Sequence, residues 1–233
     1  MIPGIDTFRE KFKDYTDYYT IIGGTACDIL LSEADLSFRA TNDIDMILIM
    51  EDNFPEFASV FWEYIKEGGY RCGWKNDDNM HFSRKPGYHL EVDEGVIPIY
   101  IDDDTSSLSA ILLNDDFYNF MMSGRKVVNG IGVLGAEHLI PFKMYAWINM
   151  VDRKTAGEHV NERDLKKHKY DVFRLLQIVT AGTRVESYGL VKESIQKFID
   201  DISVVDASDI RLLQMRLPFD RDKGVELLRG IYL

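Results

Sequence analysis

Cysteine is scarce in this chain: Cys27 and Cys72 are the only two among 233 residues, and they share no CxxC spacing. Two separated thiols offer no disulfide framework and suit a reducing compartment. Positive charge is in deficit as well. Lys and Arg total 27 against 39 Asp and Glu, a formal net charge of −12. A surface of that sign opposes coating of duplex DNA or of an anionic membrane by bulk charge. It leaves room for a local basic groove, or for a nucleotide site neutralised by divalent cations. Long apolar runs are missing too, none approaching the roughly 20 residues that a membrane span needs. The opening Met1-Ile2-Pro3-Gly4-Ile5-Asp6 meets charge without the apolar core of a signal peptide. No GxxxxGK[ST] loop or GxGxxG turn occurs, so P-loop hydrolysis and dinucleotide redox chemistry lose support. His81, His89, His138 and His159 are scattered without an HxxxH or cysteine partnership, which disfavours zinc. These absences lead us to expect an acidic cytoplasmic protein.

What is present is ordinary globular material, 45% hydrophobic and 28% charged, enough for one large or two small cores. The first half mixes strand and helix patterns. Thr7 and Glu10 have the form of a capping box ahead of Phe8, Phe12, Tyr15 and Tyr19 at helical spacing. Tyr19 to Ile22 reads as a short buried strand ending at Gly23-Gly24, with Thr25 as the cap of a helix through about Leu36. Asp43 to Met50 reads as a strand, and Pro55 opens a helix that stops at Gly68-Gly69. Strands are expected over Met80 to Arg84, Tyr88 to Asp93 and Ile97 to Ile101. Ser106, Ser107 and Ser109 read as helix-start residues, and Phe117 to Met122 as a short helix. Asn129-Gly130 marks a tight hairpin within Lys126 to Leu134. Beyond it the spacing is helical: Leu139 to Val151 with Pro141 in its first turn, Asp164 to Val179, Val185 to Ile202, Ala207 to Leu217 and Lys223 to Leu228. The expected architecture is α+β, a mixed sheet with flanking helices over residues 1–135 and a helical bundle over 136–233.

The informative segment pairs Gly23-Gly24 with Asp43-Ile44-Asp45 about twenty residues later. A strand has a side-chain period of two, so Asp43 and Asp45 share one face while Ile44 and Met46 take the other. Two carboxylates on one face, inside an apolar run, repel each other unless a cation neutralises them. Mg²⁺ takes hard oxygen ligands from a few carboxylates and substrate phosphates, so it suits such a pair. The diglycine allows positive φ and close backbone approach, and the helix that follows presents free N–H groups to phosphate.

On these residues the chain resembles the nucleotidyltransferase fold of the polymerase-β-like superfamily, and more narrowly the AbiEii-type nucleotidyltransferases, toxins of type IV toxin–antitoxin (abortive infection) systems. The pieces that carry the resemblance are Gly23-Gly24-Thr25-Ala26, Phe38 to Asp45, Ser106 to Leu113, Glu137 to Lys143, and Lys167 to Leu175. The resemblance implies a nucleotidyltransferase-like sheet and transfer of NMP from an NTP, with Mg²⁺ or Mn²⁺ as cofactor. It implies Asp43 and Asp45 as metal ligands and Gly23, Gly24 and Thr25 as the phosphate cradle. A third carboxylate is expected on a later strand. Glu91 and Asp93 share a face there, and the family pattern selects Glu91, as metal ligand or as base for the acceptor hydroxyl. Asp102, Asp103 and Asp104 read as a solvated turn.

In the helical half the resemblance sets Lys143, within an otherwise apolar run, against the nucleotide phosphates. Lys167 and Asp171 lie four apart, the spacing of an intrahelical ion pair. The resemblance instead makes Asp171 a site residue with Lys167 nearby. His168 stands where many relatives carry an acid, which motivates an alternative: a catalytically degenerate nucleotide- or partner-binding protein of the same fold. Arg163, Lys166, Lys167, His168, Lys169 and Arg174 form the one dense basic patch. If the acceptor is an RNA end such as that of tRNA, rather than a protein, phosphate contacts belong there. A toxin role further implies a cognate antitoxin.

Overall fold

The computed structural model describes residues 4–39, 41, 43–49, 54–67, 71–75, 79–83, 96–101, 106–111, 115–204 and 217–233. The chain divides into two compact units, residues 1–114 with 125–134, and residues 115–124 with 135–233. The architecture is α+β: a mixed sheet with helices in the first unit, and helices alone among the described residues of the second. Among the described residues no helix is long and apolar enough to cross a membrane.

Among the described residues, the first unit is built on a six-stranded sheet of order β5-β6-β2-β1-β8-β7. Its strands are β1 (Tyr19–Ile22), β2 (Asp43–Leu48), β5 (Val96–Ile101), β6 (Ser106–Ile111), β7 (Arg125–Val128) and β8 (Ile131–Leu134). A separate pair, β3 (Arg71–Lys75) with β4 (Asn79–Ser83), is antiparallel. β1 pairs antiparallel with β2 and parallel with β8, while β2 pairs parallel with β6. β1 and β8 are short runs rich in β-branched and apolar residues and are buried at every position, as expected of interior strands. At the β7–β8 turn Asn129 and Gly130 have φ of 50° and 77°, the two positive values that a type I′ hairpin requires.

Helices α1 (Ile5–Phe12) and α3 (Phe54–Glu67) supply one aromatic cluster of this unit. Phe8 and Phe12 lie 4.7 Å apart, Phe8 meets Tyr19 edge-on at 5.2 Å, and Phe57 stacks on Phe61 at 5.7 Å. Offset and edge-to-face contacts of this kind add to the area they bury. The Tyr19 hydroxyl accepts from the Gly132 amide at 3.3 Å, and burial pushes its pKa up to about 12.

Several local expectations are corrected. The cap of α1 is Gly4 at φ 78°, without a side-chain hydrogen bond, so Thr7 lies inside the helix and makes no capping box. Tyr15 belongs to a 3-10 segment, Lys13–Tyr18, that follows α1. Ser106, Ser107 and Ser109 start no helix. They lie in β6, held between β2 and β5 by backbone pairing on both sides.

The second unit contains α4 (Asp115–Ser123), α5 (Ala136–Thr155), α6 (Glu162–Leu176), α7 (Gly189–Val204) and α8 (Arg221–Tyr232). α5 packs along α6 and α7, and α8 packs on α6 and α7. Asn161 caps α6 by accepting from the Arg163 amide at 2.9 Å, and Asp220 caps α8 by accepting from the Lys223 amide at 2.8 Å. α7 is capped from outside its own segment: Asp116 of α4 accepts from the Leu190 amide at 2.8 Å. Pro141 is not in the first turn of its helix. α5 begins five residues earlier, at Ala136, and runs through the proline. The expected strand over 88–93, the acidic turn at 102–104 and all but the last residue of the helix over 207–217 lie outside the described residues.

Candidate functional site

The site on the first unit follows from the β1–β2 register. Ile22 is the Cα partner of Asp45, so the residue that ends β1 lies directly across from the second aspartate. The chain turns at once into α2 (Gly23–Glu33). Gly23 makes that turn at φ 69°, in the left-handed region where L side chains are strained. A Cβ built on Gly23 would stand 2.0 Å from Asp45 Oδ2, so the carboxylate occupies the space that the missing side chain leaves. β2 is an interior strand, with Asp43 registered on Ser107 and Asp45 on Ser109 of β6. Ile44 and Met46 are fully buried on one face, and Asp45, at the opposite parity, is half-buried. Asp43 is described by its backbone, two residues before Asp45 on the same strand.

Gly24 is buried in the first turn of α2, and a Cβ there would come 2.7 Å from Thr41 Oγ1 and 3.6 Å from Arg39 Nη2. The diglycine thus admits two side chains, Asp45 beside Gly23 and Thr41 beside Gly24, with Arg39 next to it. The Arg39 guanidinium also lies over the Phe38 ring at 4.8 Å. The cap residue of α2, Ile22, makes no side-chain hydrogen bond to the helix. The first amides of a helix have no intrahelical acceptor, and with the macrodipole they favour an anion. Thr25 is buried at the third position of α2, not at its cap, and the helix ends at Glu33 rather than near Leu36. Cys27, one turn on, donates its thiol to the Gly23 carbonyl at 3.2 Å.

Sequence reasoning missed Arg39 and Thr41 as members of this cluster. Both precede β2, which begins at Asp43, so the strand alternation used for the two aspartates does not reach them. Glu91, the expected third carboxylate, lies outside the described residues. Among the described residues no three His, Cys, Asp or Glu side chains gather as a metal-ligand group.

The second unit holds the other expected site residues. Lys143 of α5 and Asp171 of α6 are joined by a salt bridge, Nζ to Oδ2 3.3 Å, with side-chain exposures of 4% and 1%. Lys167 does not pair with Asp171 on its own helix. It is 3.7 Å from Asp164, one turn earlier, at a partly exposed position. Lys169 is buried, with its ammonium 5.0 Å from the centre of the Tyr170 ring. The basic patch is therefore split by burial: Arg163 and Lys166 are exposed, Lys167, His168 and Arg174 are half-buried, and Lys169 is inside.

No protein-family model matches the sequence, and no curated protein matches it. Among solved structures the chain is similar to JHP933 from Helicobacter pylori, at 17% identity and a TM-score of 0.41, over 96% of this chain and 86% of that one. It is similar to the Megavirus polyadenylate synthase at 12% identity and a TM-score of 0.45, over 86% of this chain but 36% of the viral one. A third, an H. pylori protein provisionally named a nucleotidyltransferase, gives 18% identity and a TM-score of 0.37, over 96% and 89% of the two chains.

Proposed function

We propose that the protein is a Mg²⁺-dependent nucleotidyltransferase that moves NMP from an NTP to an acceptor hydroxyl. The observation that carries this reading is Asp45 seated against the positive-φ Gly23 where β1 turns into α2. A carboxylate and a helix amino terminus side by side serve opposite charges, a cation on one and phosphate on the other.

In this reading Gly23, Gly24 and Thr25 receive the phosphates on the first turn of α2. Asp43, Asp45 and Glu91 would hold the metal, and hard carboxylate oxygens beside an incoming triphosphate fit Mg²⁺ or Mn²⁺. When bound, the ions supply neutralisation of charge on the phosphoryl group and on the departing pyrophosphate. Strand pairing of Asp45 with Ile22 fixes the carboxylate relative to the phosphate seat before substrate arrives. Glu91 takes the acceptor's proton. The acceptor oxygen forms a bond to the α-phosphorus, the bond from that phosphorus to the bridging oxygen breaks, and pyrophosphate leaves with the electron pair. Lys143, Lys167 and Asp171 of the second unit belong to the nucleotide-binding set. The acceptor is an RNA end or a protein, and the biological setting we propose is the toxin of a type IV toxin–antitoxin pair with a cognate antitoxin.

The test is pyrophosphate release from each NTP with Mg²⁺, over total RNA and over protein acceptors, for wild type and for Asp43→Asn with Asp45→Asn. Wild type should turn over at least one NTP, and the double variant should lose about 10²–10³-fold or more, on the scale of removing electrostatic stabilisation of a transition state. Wild-type turnover by the double variant overturns the assignment.

The salt bridge between Lys143 and Asp171 favours a second reading. A lysine already paired with a buried carboxylate is a structural group first, and a protein in which it stays so is a nucleotide or partner binder without turnover. Calorimetric binding of Mg·NTP with no pyrophosphate release on any acceptor selects this second reading.

A further inference from the structure

α5 contains a proline where an ordinary helix would break. Pro141 is the sixth residue of a helix that continues to Thr155. It has no amide proton to give the carbonyl four residues back, and its ring pushes that carbonyl outward. That carbonyl is Glu137 O, and the Tyr232 hydroxyl donates to it at 2.6 Å. Tyr232 lies in the last turn of α8 and is 5% exposed. The same turn is pinned a second time, by the Val185 amide donating to Ile231 O at 2.9 Å. Burial, and secondarily the Glu137 charge, raises the Tyr232 pKa well above its ordinary value, so the hydroxyl keeps its proton and remains a donor.

We propose that Tyr232 is a positioning residue: its hydroxyl replaces the amide proton that Pro141 lacks, and so latches α8 to the turn of α5 that leads into Lys143. A hydrogen bond to a backbone carbonyl is set by geometry, so the latch fixes where the turn 137–141 lies, two residues ahead of the lysine that meets Asp171. The part of the proposal that concerns nucleotide rests on the function proposed above. The latch itself does not.

The experiment is a double-mutant cycle on the full chain, with Tyr232→Phe and Pro141→Ala singly and together, read by hydrogen exchange of the α5 amides. Tyr232→Phe keeps the ring and removes only the donor. With Pro141 in place it should speed exchange of the amides over 138–145 by roughly tenfold, the factor that corresponds to one hydrogen bond of about 1.4 kcal/mol. In the Pro141→Ala background the restored amide serves Glu137 O, and the same change should alter exchange by less than about threefold. An equal effect in both backgrounds overturns the latch and leaves Tyr232 as packing alone. For the nucleotide part, Tyr232→Phe should raise KM for the NTP severalfold with kcat nearly unchanged, and Pro141→Ala should restore KM. Failure of turnover in every variant, with the exchange cycle intact, refutes the proposed function and spares the latch. An intact cycle with KM unmoved refutes the positioning of Lys143.

Discussion

The two units handle buried charge in opposite ways. In the first, Asp45 sits at a strand position beside a residue that has no side chain, where a helix starts directly after Ile22. In the second, Lys143 and Asp171 close on each other across two helices, almost wholly withdrawn from water. The first arrangement is set by backbone alone: antiparallel register puts Ile22 opposite Asp45, and the next residue turns. The second depends on two long-range partners meeting, which no local spacing dictates. Groups arranged around a bend of glycines are placed by the backbone, whereas the buried pair ties two helices together besides standing in the proposed nucleotide-binding set. Which of these a charge does is decided by what stands next to it, not by the residue type.

The sealed pair is where this contrast is easiest to undo. Lys143→Met takes the cation away from buried Asp171 and should cost about 3–5 kcal/mol in urea unfolding. Adding Asp171→Leu should recover most of that loss, because replacing both members of a buried pair with apolar groups is often close to neutral. If the double replacement is as unstable as the single, the pair is not a self-contained structural unit. At the bend, Gly23→Ala should cost at least about 1–2 kcal/mol from the left-handed backbone alone and should displace Asp45, weakening Mg·NTP binding in calorimetry. Unchanged stability together with unchanged binding would remove Gly23 from the site.

Smaller effects are expected away from both charges. Asp116→Ala removes the external cap of α7 and should lower stability by about 1 kcal/mol, with no effect on nucleotide binding. The smallest effect is confined to high pH. Tyr19 has its pKa raised from 10 to about 12 by burial, so the folded state keeps the proton that the unfolded chain gives up first. Stability from this group is complete below pH 10 and declines as pH rises from 10 through 12. The urea midpoint of wild type should fall over that window, and Tyr19→Phe should flatten the slope.

The sequence made some of this plain and hid the rest for physical reasons. β1 was readable because four consecutive buried residues end at a diglycine, and the hairpin because Asn129-Gly130 is a turn with a mechanism. The helices of the second unit followed from apolar spacing. β6 was not readable: Ser106, Ser107 and Ser109 carry little strand propensity, and two flanking strands impose the extended backbone. Thr7 looked like a cap by local pattern, but Gly4 in the left-handed region starts the helix earlier. At the site, the proximity of Gly23 and Asp45 could be inferred from a strand–helix–strand pattern. Arg39 and Thr41 beside Gly24, Tyr232 on Glu137 O, and the choice of Asp171 as partner of Lys143 are tertiary facts with no local signature.

The proposed activity requires that the bend at Gly23 and the aspartates of β2 form a seat for divalent cation and triphosphate. A crystal soaked with Mn²⁺ and a non-hydrolysable NTP, measured for anomalous scattering, tests this most directly. Manganese is expected on Asp43 and Asp45, with phosphate oxygens on the first amides of α2. Manganese or nucleotide bound elsewhere, with the Gly23 bend vacant at saturating ligand, would contradict it.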